Sequence, residues 1–144
     1  MLFRSGIAIA GRTYRAYREL LDSRHSQSLA SAGARHQRLL WASTGTKDPQ
    51  ASDVLYVEAL AAPDTINTMP DATLLAFADH GEIRGVMAED GGDAEAVLAE
   101  FEHAGIDVAA LAGQLQREGA EAFVKSWNEL LERIAAKSEA LATS

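Results

Sequence analysis

The chain has 144 residues, 47% of them hydrophobic, a formal charge of −8 and no cysteine, which is the size and apolar content of one ordinary folded domain. Without cysteine there is no disulfide, thiolate nucleophile or Cys-ligated zinc, as suits a reducing compartment. No apolar run reaches the roughly 18 residues of a bilayer span, so a cytoplasmic protein without membrane contact is expected.

The charge is uneven. Residues 1–47 carry eight Lys and Arg against Glu19 and Asp22, a net +6, which leaves −14 on residues 48–144. Ile7, Ala10, Tyr14, Tyr17, Leu20 and Leu21 recur at helical spacing and predict a helix over about 6–22. Arg12, Arg15 and Arg18 form a row opposite Tyr14, Tyr17 and Leu21 and read as a solvated face. With no aromatic stacking platform and no nucleic-acid motif, no nucleic-acid partner is expected. A second helix over 26–32 stops at Gly33, a residue suited to the left-handed position after a helix end.

The period then changes. Arg38 to Ala42 is a short apolar run of the kind found in strands buried on both faces of a parallel sheet. After a loop over 43–51, Val54, Leu55, Val57 and Leu60 predict a short helix closed by Pro63. Thr65 to Met69 reads as a second strand, and Pro70 ends its pairing because proline cannot donate to a ladder. Asp71 is placed to cap the next helix, through Leu74, Leu75 and Phe77 to Gly81. Strand, helix, strand, helix implies parallel pairing through a right-handed crossover.

The remainder is helical. Asp93 opens a helix that ends at Gly105, and Asp107 caps the next, with Ile106 and Leu111 at hydrophobic-staple positions. A last helix carries Phe123, Trp127, Leu130, Leu131 and Ile134 on one stripe, read as core packing, with a frayed tail from Lys137. No repeat, low-complexity segment or clear boundary divides the chain, so residues 1–144 read as one domain or part of one.

Two strands cannot make a doubly covered parallel sheet. The pattern fits either a small βαβ layer patched with helices or the end of an α/β barrel. In such barrels the loops after the strands form the active face, and both strands here end in polar groups. Ser43, Thr44 and Thr46, the amides freed by Gly45 and the charge of Lys47 would suit an anion; a Ser/Thr-rich turn carrying a surface lysine is the plainer alternative. Asn67 and Thr68 are substrate contacts or strand-end caps. His25, His36, His80 and His103 lack ligand spacing, so no metal is expected; His80 suits a helix C-terminus through the dipole.

The segments RLLWASTGTKDP (38–49) and SDVLYVEALAAPDTINTMPDATLLAFADHG (52–81) resemble the C-terminal portion of bacterial transaldolases, and the resemblance runs from about Gly6 to Ile134. It implies the end of a TIM (β/α)8 barrel, with 38–43 as strand seven and 65–69 as strand eight. It implies transfer of a dihydroxyacetone unit from sedoheptulose 7-phosphate to glyceraldehyde 3-phosphate, giving erythrose 4-phosphate and fructose 6-phosphate. The family uses a lysine Schiff base and needs no cofactor.

The same resemblance makes Ser43 a phosphate contact, Thr44 a weaker companion and Lys47 an ion partner of the sugar phosphate. Asn67 and Thr68 become possible substrate contacts. The family's Schiff-base lysine and its acid/base carboxylates belong to earlier strands, so no catalytic residue is assigned and this stretch alone is expected to be inactive. Residues 1–5 match nothing in the pattern and read as a non-native junction. The competing reading is a stand-alone phosphate-binding or interaction module without catalysis.

Overall fold

The structure is a computed structural model that describes residues 2–142. Eight elements follow in order: α1 (Leu2–Asp22), α2 (Arg24–Ser31), β1 (Leu39–Trp41), α3 (Leu55–Ala59), β2 (Thr65–Asn67), α4 (Asp71–His80), α5 (Ala94–His103) and α6 (Val108–Ala142). The chain separates into two compact units, one reaching Glu100 and one beginning at Phe101. No helix among the described residues is long and apolar enough to cross a membrane.

In the first unit β1 and β2 pair in parallel, with Leu39 opposite Thr65, Leu40 opposite Ile66 and Trp41 opposite Asn67. Alternation sends Leu39 and Trp41 to one face, where Trp41 joins Ala10 and Tyr14 of α1 and Leu60 in a buried cluster. Tyr14 is wholly buried and donates its hydroxyl to the Pro63 carbonyl at 3.3 Å. Desolvation by that burial is the main reason its phenol pKa is raised. The other face is open: Leu40 is 49% exposed. The expectation of a strand buried on both faces is therefore corrected, because a sheet of two strands has one layer of helices against it.

The arginine row of α1 is not a solvated face either. Arg12 and Arg15 both reach Glu95, and Arg18 bridges Asp64 at 2.9 Å and Glu89 at 3.0 Å. The row ties α1 to the turn before β2 and to the start of α5. These pairs are half exposed, so they fix geometry more than they add stability.

Several helix ends follow sequence chemistry. Gly33 and Gly105 adopt φ of +91° and +85°, and the amides of Ala34 and Ile106 bond back to Leu29 and Phe101, the Schellman closure. Asp107 caps α6 by accepting the Ala110 amide at 2.8 Å. Asp71, expected to cap α4, is instead its first residue: Pro70 occupies the cap position, its fixed φ already suited to a helix entrance, and makes no side-chain bond. The first helix begins at Leu2 rather than Gly6. Of the expected junction at residues 1–5, Met1 lies outside the described residues and residues 2–5 belong to α1.

In the second unit α6 is one helix of 35 residues, not the two expected, and it runs to Ala142. Gly113 and Gly119 each cost about 1 kcal/mol relative to alanine. The surrounding strong helix formers and the side-chain pairs Gln114–Glu118 and Lys125–Glu129 carry the helix through them. The Phe123 to Ile134 stripe, expected in a core, is exposed; Phe123 is 81% so. Amphipathicity needs a facing element, and this unit offers only the end of α5 and its turn.

Candidate functional site

The candidate site lies where β1 ends. Trp41 is the last strand residue, yet the pairing continues one step: the Thr68 amide donates to the Trp41 carbonyl at 2.9 Å, and the Thr68 hydroxyl approaches the same oxygen at 3.3 Å. Ser43 stands at φ +59°, a left-handed conformation that disfavours residues with a side chain and that clusters at functional loops.

Thr44 follows and points inward. It is 3% exposed, and its hydroxyl lies 2.6 Å from the Asn67 Oδ1 and 3.1 Å from the Thr68 carbonyl. In this arrangement one proton serves both oxygens. With the Asn67 amide turned over, its nitrogen donates to the Thr44 hydroxyl and the Thr44 proton goes to the Thr68 carbonyl. Gly45 comes next, packed so closely on the Pro70 ring that an added Cβ would sit 3.1 Å from the Pro70 Cγ. The Thr46 hydroxyl is buried without a hydrogen-bond partner, as is the Trp41 Nε1.

Ser43, Thr44, Gly45, Lys47, Asp48 and Tyr56 line a cavity of about 470 Å³ in the first unit. It brings together three of the residues singled out in the sequence, Ser43, Thr44 and Lys47. Asn67 and Thr68 do not line it; their side chains turn to Thr44 and to the Trp41 carbonyl. The arrangement offers a serine hydroxyl, the backbone amides of the loop and one ammonium, which together suit a phosphate or carboxylate group.

Asp48 and Tyr56 were not legible as site residues. Asp48 accepts the Gln50 amide at 2.8 Å, an Asx turn at the edge of the cavity that Asp48 lines. The Lys-Asp-Pro run signals such a turn, but nothing in the sequence brings Tyr56 of α3 to the same wall. Among the described residues no group of three His, Cys, Asp or Glu side chains could hold a metal ion.

A second polar cluster lies outside this cavity. The His80 ring, at the end of α4, sits between Asp53 at 2.9 Å from Nε2 and Asp79 at 3.3 Å from Nδ1. The hydrogen bond to Asp53, then that to Asp79, raises the imidazole pKa above its usual 6.5. His80 thereby links the end of the candidate loop to α4, a role its dipole-favoured position does not reveal.

The transaldolase/fructose-6-phosphate aldolase family model matches residues 3–134. The chain is 49% identical over 133 residues to a transaldolase of Thermobifida fusca (strain YX), an alignment covering 92% of this chain and 36% of that protein. It is 48% identical over 132 residues to a transaldolase of Parafrankia sp. (strain EAN1pec), covering 91% and 36%. With a transaldolase of Mycobacterium marinum (strain ATCC BAA-535 / M) the figures are 47% over 141 residues, 96% and 38%. The chain thus spans 36% to 38% of the length of these curated relatives. Its two parallel strands and mostly helical surround are part of a (β/α)8 barrel.

Proposed function

The chain belongs to the transaldolase/fructose-6-phosphate aldolase family, and on that premise we propose that it is the sugar-phosphate-binding, C-terminal part of a transaldolase. The reaction is transfer of a dihydroxyacetone unit from sedoheptulose 7-phosphate to glyceraldehyde 3-phosphate in the pentose phosphate pathway, run in the cytoplasm and without a cofactor. Erythrose 4-phosphate and fructose 6-phosphate are the products. The observation that carries the reading is Ser43, held left-handed at the end of β1 in a cavity that Lys47 also lines.

In this reading Ser43 and the loop amides hydrogen-bond the substrate phosphate, and Lys47 neutralises it as a point charge. Anchoring the phosphate fixes the sugar, so the ketone carbon meets a lysine amine from the preceding part of the barrel. Loss of water gives an iminium. That iminium accepts the electron pair of the breaking carbon–carbon bond while a carboxylate takes the hydroxyl proton and the aldehyde departs. The resulting enamine attacks the acceptor aldehyde, whose oxygen takes the proton back, and water hydrolyses the new iminium to release the ketose and the lysine. Of the chain's lysines, Lys125 and Lys137 are exposed on α6, outside any enclosed pocket that could hold a ketose, and Lys47 serves the phosphate. The chain alone is therefore inactive.

The test is a chimera: residues 3–134 replace their counterparts in the Thermobifida fusca transaldolase. The expected result is turnover of fructose 6-phosphate with erythrose 4-phosphate, with KM raised about tenfold by Lys47→Ala, the loss of one charge-assisted hydrogen bond. Borohydride added to the unmodified chain with fructose 6-phosphate should trap no lysine. A folded chimera without turnover, or reduction onto Lys47, would sink the reading.

A further inference from the structure

We propose that Asn67 and Thr44 are a positioning pair: through their hydrogen bond the end of β2 holds the loop after β1 in the conformation that presents Ser43 and Lys47, and neither side chain touches the ligand. What the loop binds rests on the phosphate reading above; how it is held rests on geometry alone.

Three observations converge. First, Ser43 adopts a conformation that persists in an L-residue only where its neighbours over-determine it. Its neighbours do so from both sides: Trp41 is pinned by the amide and hydroxyl of Thr68, and Thr44 is buried with its hydroxyl on Asn67 and the Thr68 carbonyl. Second, Asn67 is a residue type depleted in strands, placed at the last position of one. An amide can accept from Thr44 or, turned over, donate to it while the Thr44 proton goes to Thr68, so both partners stay satisfied in either setting. A leucine could do neither, and an aspartate only the first. Third, Thr44 lies against the cavity with its hydroxyl committed to β2, and Asn67 is absent from the cavity wall. A hydroxyl already bonded at 2.6 Å within a 3% exposed side chain is a fixed strut. The pair is 23 residues apart in the chain, so it forms only when the parallel crossover closes.

The experiment uses the full chain labelled with ¹⁵N and ¹³C. The three-bond amide–Hα coupling and the Cα and Cβ shifts of Ser43 report its backbone. Inorganic phosphate is then titrated while the amides of residues 43–47 are followed. Thr44→Val keeps the shape and removes the hydroxyl, and Asn67→Leu removes the amide. Both are expected to release Ser43 to extended backbone and to weaken phosphate about tenfold, the loss of one hydrogen bond to an anion.

Thr44→Ser restores the hydroxyl and is expected to restore both readouts, which simple loss of packing does not permit. Asn67→Asp keeps an acceptor for Thr44 but adds charge, so Ser43 should stay left-handed while phosphate weakens; this variant serves if Asn67→Leu does not fold. A left-handed Ser43 in both Thr44→Val and Asn67→Leu would overturn the proposal, as would a Thr44→Ser chain that behaves like Thr44→Val. Unperturbed amides in the unsubstituted chain at saturating phosphate would instead defeat the phosphate reading, and the Ser43 backbone readout would still decide the pair.

Discussion

Replacing Gly45 by alanine sets two effects of similar size against each other. The backbone there is not left-handed, so alanine fits the conformation, and the less flexible unfolded chain favours the variant by about 0.4–1 kcal/mol. Against this, the new Cβ meets the Pro70 Cγ at 3.1 Å and the Pro70 Cδ and Thr73 Oγ1 at 3.4 Å. The proline ring cannot step aside, because its backbone is the cap of α4 and its φ is locked. The loop must retreat by a few tenths of an ångström, at an overpacking cost of about 1–3 kcal/mol. Gly85 is the control: its φ is also not positive, and an added Cβ there meets nothing within 4 Å. Gly85→Ala should gain the entropic effect alone. The difference between the two variants therefore isolates the contact, about 1–3 kcal/mol, or at least 4 °C in Tm at about 4–8 °C per kcal/mol for a unit of this size. Thermal and urea unfolding measure it. Adding Pro70→Ala, which removes the ring, should recover part of the loss. If Gly45→Ala and Gly85→Ala melt together, the packing of the loop on Pro70 is not what holds it.

Three further outcomes are expected. Tyr14→Ala should cost about 3–5 kcal/mol, a large share of a typical domain's stability, whereas Tyr14→Phe, losing only the bond to Pro63, should cost about 0.5–1.5 kcal/mol by urea unfolding. Because Asp53 and Asp79 raise the His80 pKa when folded, the stability this cluster contributes is complete below the unfolded value of 6.5 and is lost as pH rises through the higher folded value. His80→Gln should flatten that window in melts taken between pH 6 and 8, and Asp53→Asn should lower the His80 midpoint in an NMR titration. Asp107→Ala should cost α6 about 1 kcal/mol, read as lost amide protection at Ala110.

How much of this was visible in the chain depends on whether the cause is local. Gly33 and Gly105 are legible because a left-handed helix end is a property of a few consecutive residues. Gly81 is in the expected place for a different reason: its φ is −69°, and what excludes a side chain there is the Phe77 ring folded over it. Parallel strands follow from their composition and the helix between them. Register does not, and with it goes the meeting of Thr44 with Asn67. The arginine row on α1 has the spacing of a solvated face, and only the fold reveals that Asp64, Glu89 and Glu95 stand opposite. Glu95 illustrates the consequence: the hydrogen bond from Arg12 lowers its carboxyl pKa, which no reading of residues 89–100 alone suggests. The stripe on α6 is legible as a face that needs covering, but a hydrophobic period does not name its partner.

The same distinction bears on why a site can be read from part of a barrel. A two-stranded sheet leaves Leu40 and Ile66 in solvent, on the face that an eight-stranded barrel would enclose. Chemistry that needs side chains from several strands depends on that enclosure. The loop after β1 does not: its supports are the Trp41 carbonyl, Thr44, Asn67, Thr68 and Pro70, all within the first unit and all drawn from β1, β2 or the residues that follow them. Anion binding by Ser43 and Lys47 should accordingly survive in this chain while transfer does not. The corresponding expectation is sharp: phosphate should perturb residues 43–47 in the unsubstituted chain, with an affinity that falls on Lys47→Ala, in the same preparation that shows no turnover of fructose 6-phosphate.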